Sequence, residues 1–218
     1  MSTPTSKSRT GGGKENRVGN YIILRKIGSG SFANVFLGKH SETHQKVAVK
    51  SISKLRLSKN SKHSSNLESE ISIMKSLSHP NVISLIDILY TTNHIYLILE
   101  YANCGDLHDY IRQKGKLTET QVKKLMKQLV DGLNFIHSKN LAHRDLKPQN
   151  LLLHQSSEND TTSEIQLRIG DFGFARVMEE MEGAMAATLC GSPLYMVRRL
   201  FLALLIIEHR PSLSITLM

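Results

Sequence analysis

His143-Arg144-Asp145-Leu146-Lys147-Pro148-Gln149-Asn150 and, downstream, Asp171-Phe172-Gly173 decide how this chain is read. The first stretch places an Asp and an Asn five residues apart in a Pro-containing loop. The second places another Asp just before a glycine. Together they offer two hard oxygen ligands for a divalent cation and one carboxylate able to act as a base. Polar residues also fall in loops by chance, so the neighbouring segments have to discriminate.

Upstream lies the strongest helical signal. Thr118 with Gln121 makes a capping box, and Val122, Leu125, Met126, Leu129, Val130, Leu133 and Ile136 form one stripe through Ser138. Asp106–Arg112 reads as a shorter helix. Leu151–His154 and Gln166–Ile169 read as small strands, and residues 155–164 between them as a polar surface loop. The N-terminal half has a different period. Tyr21–Ile27, Val35–Lys39 and Lys46–Ser51 read as three successive antiparallel strands, and Val82–Tyr90 and His94–Glu100 as two more. A helix separates the two groups. Ser65 and Glu68 suggest its capping box, Leu67, Ile71, Met74 and Leu77 keep helical spacing, and His79-Pro80-Asn81 ends it. The expected fold is α+β: a β-rich lobe with one helix, a helical lobe, and a cleft between them.

Two further motifs converge on that cleft. Gly28-Ser29-Gly30-Ser31-Phe32-Ala33-Asn34-Val35 joins the first two strands, where glycines let backbone N–H groups approach phosphates. A glycine turn in an ordinary hairpin is the plain alternative. A dinucleotide-binding fingerprint is excluded, because a strand follows the loop where a helix is required. Val47-Ala48-Val49-Lys50 ends an apolar strand on a lysine. Glu70 shares a helix face with Leu67, Ile73, Met74 and Leu77, so its carboxylate needs a partner. Lys50 is the obvious one. Glu68 is the rival, but Ser72 and Lys75 beside it mark a solvated face.

Composition bounds the remaining possibilities. Hydrophobic content of 40% with 22% charged residues is that of a globular protein. The two cysteines, Cys104 and Cys190, form neither a disulfide framework nor a metal-ligand spacing, which fits a reducing cytosol. The net charge of +9 divides as +3 on residues 1–20, +2 on 196–218 and +4 between them. With no aromatics interleaved, the basic ends read as solvated tails and no nucleic-acid partner is expected. The longest apolar run, Leu200–Ile207, falls far short of the ~20 residues of a membrane span, and no secretory signal opens the chain.

In order and spacing, these motifs resemble the eukaryotic protein kinase family over residues 21–196. Asp145-Leu146-Lys147-Pro148-Gln149-Asn150 resembles the Ser/Thr class. Gly170-Asp171-Phe172-Gly173-Phe174-Ala175-Arg176 and Leu189-Cys190-Gly191-Ser192-Pro193-Leu194-Tyr195-Met196 resemble the autophagy-initiating Atg/ULK-type kinases. The resemblance implies ATP and Mg²⁺ as cofactors. Lys50 would hold the α/β-phosphates and Glu70 would hold Lys50. Asn150 and Asp171 would carry the metal. Asp145 would accept the substrate hydroxyl proton, and Lys147 would steady the transferring phosphoryl group. Ile27 and the loop from Gly28 through Ser29, Gly30, Ser31, Phe32, Ala33 and Asn34 to Val35 would cover the nucleotide. Ala48, Leu99, Glu100-Tyr101-Ala102 and Leu152 would enclose the adenine, and Asp106 would lie near the ribose. Met74, Leu85, His143 and Phe172 would stack as an apolar column between the lobes.

The implied organisation is a disordered basic tail (1–20), a kinase domain (21–196, with N-lobe 21–100 and a partial C-lobe 101–196) and a non-family apolar tail (197–218). The pattern departs from the family after Met196, where Val197-Arg198-Arg199 replaces Ala-Pro-Glu. A helical C-lobe left incomplete would expose part of the 118–138 stripe and destabilise that lobe. Two functions follow. One is a cytoplasmic Ser/Thr protein kinase of autophagy initiation, acting on protein substrates, joined to autophagy-complex proteins and recruited peripherally to autophagosomal membranes. The other is a catalytically silent kinase fragment that binds nucleotide or a partner protein.

Arg144 beside Asp145 suggests control by a phosphate on the activation segment, with Thr188 as its site. Thr188→Ala is expected to lower both phosphate content and transfer activity. Unchanged mass and unchanged activity would exclude Thr188.

Overall fold

Period-two alternation in the N-terminal half produces one antiparallel sheet. The computed structural model describes residues 16–29, 33–58, 61–156, 164–173 and 175–177. Strands β1 (Arg17–Val18), β2 (Tyr21–Ser29), β3 (Ala33–His40), β4 (Lys46–Ser53), β5 (Leu85–Tyr90) and β6 (His94–Glu100) pair in the order β1-β2-β3-β4-β6-β5. Alternation on β4 sends Val47 and Val49 to one face, where they meet Val18, Tyr21, Ile23 and Ile98. It sends Ile52 to the other, against Leu97 and the helix α2 (Ser61–Ser76). That helix buries Leu67, Ile71, Ile73 and Met74, with Leu77 buried just past its end, the face its spacing predicts, while Glu68 stays exposed.

Three expectations need correction here, and one further element was not expected. Helix α2 begins at Ser61, so Ser65 lies in its second turn and is not the N-cap. A five-residue helix, α1 (Lys54–Ser58), follows β4; it is too short to show a period. Strand β5 starts at Leu85 and not Val82, because Val82 bridges Ile169 and the Ile83 N–H donates to the Ile169 carbonyl at 2.9 Å. Arg17–Val18, assigned to the disordered tail, pairs with Ile22–Tyr21, and Val18 is buried.

The second half contains α3 (Leu107–Lys114), α4 (Glu119–Ser138), β7 (Leu141–Ala142), the hairpin β8 (Leu151–Gln155) and β9 (Ile165–Ile169), and β10 (Arg176–Val177), which pairs with β7. The Thr118–Gln121 capping box forms at the start of α4. Asp106 caps α3, accepting from the Asp109 N–H at 2.8 Å. Leu125, Leu129, Leu133 and Ile136 pack with Leu151, Leu153, Leu167, Ile169 and Phe172 as the main core. Val130 leaves the expected stripe: it is 45% exposed, and Gly132 occupies the buried position. One residue advances a helix by about 100°, which carries Val130 to the flank of the stripe centred on Leu129. The expectations for residues 1–15, Gly30-Ser31-Phe32, most of the 155–164 loop, Phe174, Thr188, Leu189–Met196 and the 197–218 tail lie outside the described residues.

Gly132 lets α4 cross close to the chain entering β5. A Cβ there would come within 2.9 Å of Ile169 Cδ1 and 3.0 Å of the Asn81 carbonyl oxygen. That oxygen already accepts from the Ile169 N–H and cannot retreat freely. Gly132→Ala is therefore expected to destabilise. The overpacking cost of about 1–3 kcal/mol exceeds the ~0.5–1 kcal/mol gained in helix propensity. Thermal unfolding would show a lower Tm; a higher Tm would mean that the crossing can relax.

Candidate active site

The strand pairing brings the roof of the cleft together. Ile27, Gly28 and Ser29 from β2, Ala33 and Val35 from β3, and Ala48 and Lys50 from β4 line one large cavity. Register shifts in the β2–β3 pairing fall between Ile23 and Lys26 and between Lys26 and Gly28, where the ladder turns toward the glycine loop. Asn34 lies between two lining residues, and the pleat turns its side chain to the opposite face. Leu99 and Glu100 at the end of β6 line the same cavity with Tyr101, Ala102 and Asp106 from the segment after it, and Leu152, Gly170 and Asp171 from the second half. Ala102 lines the cavity, and among the described residues its backbone N–H donates no hydrogen bond.

Lys50 connects the sheet to α2. Its Nζ lies 2.5 Å from Glu70 Oε1 and 3.7 Å from Asp171 Oδ1. Burial pulls the ammonium toward neutrality. The Glu70 and Asp171 carboxylates outweigh it and hold Lys50 above its ordinary pKa, so it is charged at neutral pH. The charge of Glu70, on an otherwise apolar helix face, is thereby satisfied.

The loop after β7 presents the second group. Arg144 (φ +69°) and Asp171 (φ +60°) both adopt the left-handed region, at about 1–3 kcal/mol each, a strain that persists where the surroundings over-determine it. Lys147 Nζ donates to Asp145 Oδ2 at 2.6 Å. Asn150 Nδ2 donates to the Asp145 carbonyl at 2.7 Å and to its Oδ2 at 3.1 Å. The Asn150 amide nitrogen is thus committed, which leaves Oδ1 as the oxygen a hard cation takes. The Gly170 N–H donates to the Asn150 carbonyl at 2.9 Å, which sets Asn150 beside the loop of Asp171. An amide oxygen and a carboxylate held side by side fit Mg²⁺ coordination and a phosphate chain beneath the glycine loop.

His143 locks the two loops together. Its Nε2–H donates to the Gly170 carbonyl at 2.9 Å, and its ring meets Phe172 edge-on at 5.1 Å. Met74, His143 and Phe172 are buried, with Leu85 packed against the same core, as the expected column requires. Burial is the largest influence on His143 and lowers its pKa. The Gly170 carbonyl, Asp171 and Asp145 oppose this only in part. Arg144 is exposed, and its expected phosphate partner at Thr188 lies outside the described residues.

Sequence reading missed Asn81, Gln128 and Arg168. Arg168 Nε donates to Glu100 Oε1 at 2.5 Å, and the guanidinium also reaches the Pro80 carbonyl and Gln166 Oε1. The available signal was an unmatched pair of charges: a carboxylate ending apolar β6 and a cation inside apolar β9.

Residues 21–201 match the family model described as the protein kinase domain. The chain is 46% identical over 184 residues to serine/threonine-protein kinase atg1 of Dictyostelium discoideum, covering 83% of this chain and 26% of that protein. It is 49% identical over 179 residues to ATG1a of Arabidopsis thaliana (82% and 27%). It is 43% identical over 190 residues to ULK1 of Homo sapiens (85% and 18%). Both are also named serine/threonine-protein kinases. The chain thus spans about a quarter or less of the length of these relatives.

The buried imidazole gives stability a sign with pH. Free histidine protonates near 6.5, and folded His143 resists protonation to lower pH. Its contribution is whole above pH 6.5 and is lost as pH falls through the depressed folded value, because the unfolded chain then binds more protons. His143→Phe is expected to show a shallower fall in Tm between pH 7.5 and 5.5 than the wild type. Parallel falls would show that His143 is not the group responsible.

Proposed function

The chain belongs to the protein kinase domain family, and on that footing we propose that it transfers the γ-phosphoryl group of Mg-ATP to serine or threonine hydroxyls of proteins. One observation carries the reading. The Lys50 ammonium is held between Glu70 and Asp171 while Asp145, Lys147 and Asn150 form one bonded group in the adjacent loop. Phosphoryl transfer needs positioned charge more than covalent chemistry from the protein, and these residues supply it.

Bound Mg-ATP supplies the phosphoryl group and the cation that neutralises its oxygens. Lys50 presents a fixed positive charge to the phosphate chain, and Glu70 keeps it from swinging away. Asp171 and the Asn150 Oδ1 would hold the metal. Asp145 accepts the proton of the substrate hydroxyl as that oxygen bonds to the γ-phosphorus and the bond to the β–γ bridging oxygen breaks, giving a phosphoester and ADP. Lys147, now on the Asp145 carboxylate, has a flexible stem long enough to exchange that carboxylate for a phosphoryl oxygen. The roof residues Ile27, Ala48 and Val35 and the floor residue Leu152 bury the purine between apolar surfaces.

The place of this activity in autophagy initiation rests on the Atg/ULK-type relatives. It brings with it cytoplasmic residence, autophagy-complex partners and peripheral recruitment to autophagosomal membranes. No helix among the described residues is long and apolar enough to cross a membrane.

The test is phosphate transfer from Mg-ATP to a generic Ser/Thr protein substrate, with Asp145→Asn as control. Loss of the base is expected to cut the rate by about 10²–10⁴-fold. Transfer by neither protein, or equal transfer by both, would overturn the reading and leave a silent nucleotide- or partner-binding chain.

A further inference from the structure

Arg168 is a largely buried cation outside the proposed catalytic group, and its partners are spread along the chain. Leu167 and Ile169, its neighbours on β9, point into the core, so Arg168 must project from the other face of the strand. Its side chain is only 13% exposed and that of Glu100 only 25%. A buried guanidinium requires several acceptors, and here three are met: Glu100 Oε1 at 2.5 Å, the Pro80 carbonyl, and Gln166 Oε1 at 3.1 Å. These acceptors belong to the end of β6, to the loop that follows α2, and to β9 itself.

Glu100 matters because of what it precedes. Its N–H donates to the Ser84 carbonyl at 3.0 Å, and its side chain is held by Arg168. The chain then leaves the sheet and runs through Tyr101 and Ala102 along the cleft, with the Ala102 N–H unpartnered among the described residues. A backbone edge can read a purine only if its donor and acceptor sit within a few tenths of an ångström of hydrogen-bonding range. Glu100 is the last residue of this edge that the sheet anchors.

We propose that Arg168, acting through Glu100, positions the 100–102 backbone edge of the cleft and so sets its preference for adenine over guanine; this rests on the nucleotide-binding reading above. Arg168 touches no nucleotide in this scheme. It is a positioning residue, and its planar fork is what allows one side chain to serve three acceptors. Lysine would keep the charge and lose the fork. The same guanidinium stands three residues before Asp171, so the purine edge and the metal loop are referenced to one strand.

The experiment measures Kd for Mg-ATP and Mg-GTP on the whole chain, for wild type, Arg168→Gln, Arg168→Lys and Glu100→Gln. The ratio of the two constants is the readout. A loss of folded fraction scales both affinities alike and cancels in the ratio, which a purely structural role would therefore leave unmoved. Arg168→Gln is expected to weaken ATP binding by about tenfold to 150-fold, the worth of a charged hydrogen bond, with a much smaller change for GTP. The adenine preference falls accordingly, with Arg168→Lys between it and the wild type. Glu100→Gln keeps the side-chain shape and a hydrogen-bonding oxygen, and it is expected to move the ratio in the same direction even if Arg168→Gln fails to fold. An ATP/GTP ratio equal to the wild type's in folded Arg168→Gln, or in Glu100→Gln, overturns the inference and leaves the kinase reading standing. A wild type that binds neither nucleotide overturns both.

Discussion

The Lys50–Glu70 ion pair is the constraint from which the rest of the cleft follows. Helix α2 packs on the sheet through Leu67 and Ile71 and on the main core through Ile73 and Met74, and Glu70 is buried between these residues. A carboxylate there is tolerable only with its partner. Removing one member of such a pair typically costs about 3–5 kcal/mol, a large part of a domain's margin of about 5–15 kcal/mol. The pair therefore fixes both the rotation of α2 and its distance from β4. Met74 is then delivered to the lining of the cleft and to the core beside Phe172. Gly173 is brought so close that a Cβ on it would stand 3.6 Å from Glu70 Oε2. The helix, the central strand and the Asp171 loop are thus referenced to one charge pair.

A second, neutral network does the same work where the chain passes between the two halves. Asn81 Nδ2 donates to the Leu167 carbonyl at 2.9 Å and to Gln128 Oε1 at 3.2 Å. Gln128 in turn accepts from the Leu167 N–H and donates to the Ile165 carbonyl. A segment that crosses a core without regular pairing must find partners for its backbone groups, and two amide side chains supply them here. Strand β9 is held by β8 on one side and by this network on the other. Its C-terminal end, which leads to Asp171, can then be placed as accurately as a strand inside a larger sheet.

Much of this could be read in the sequence because the decisive signals were local. Glu70 among apolar residues at helical spacing demanded a cation. Thr118 and Gln121 fixed the start of α4 to the residue. The Asp145–Asn150 interval forced a loop tight enough for Asn150 to bond the Asp145 backbone. What was missed depended on tertiary context. Ser65 carried a capping signature, yet the helix extends four residues further back. Val130 obeyed the apolar pattern but lies on the flank of α4, while Gly132, with no side chain to mark it, occupies the closest crossing. Arg168 finds partners 68 and 88 residues away, and neither interval leaves a trace in local periodicity.

The charges of the cleft are balanced in a way that bears on how it works. Lys50 is shared between Glu70 and Asp171, and Lys147 sits on Asp145. Each cation thus has a carboxylate partner, and neither partnership is equally firm. Glu70 at 2.5 Å, on a buried helix face, is a fixed neighbour of Lys50. Asp171 at 3.7 Å, with a side chain 46% exposed, is a loose one. In the proposed reaction, a phosphate chain would take the outer face of Lys50 and Asp171 would be left to hold the metal, with the inner pair undisturbed. The Lys147 contact is closer but lies nearer solvent, where a flexible ammonium exchanges one oxygen for another at little cost. In the proposed reaction, release of Lys147 to a phosphoryl oxygen would free the Asp145 carboxylate to accept from the substrate hydroxyl, so that one lysine movement would serve both the phosphoryl group and the base.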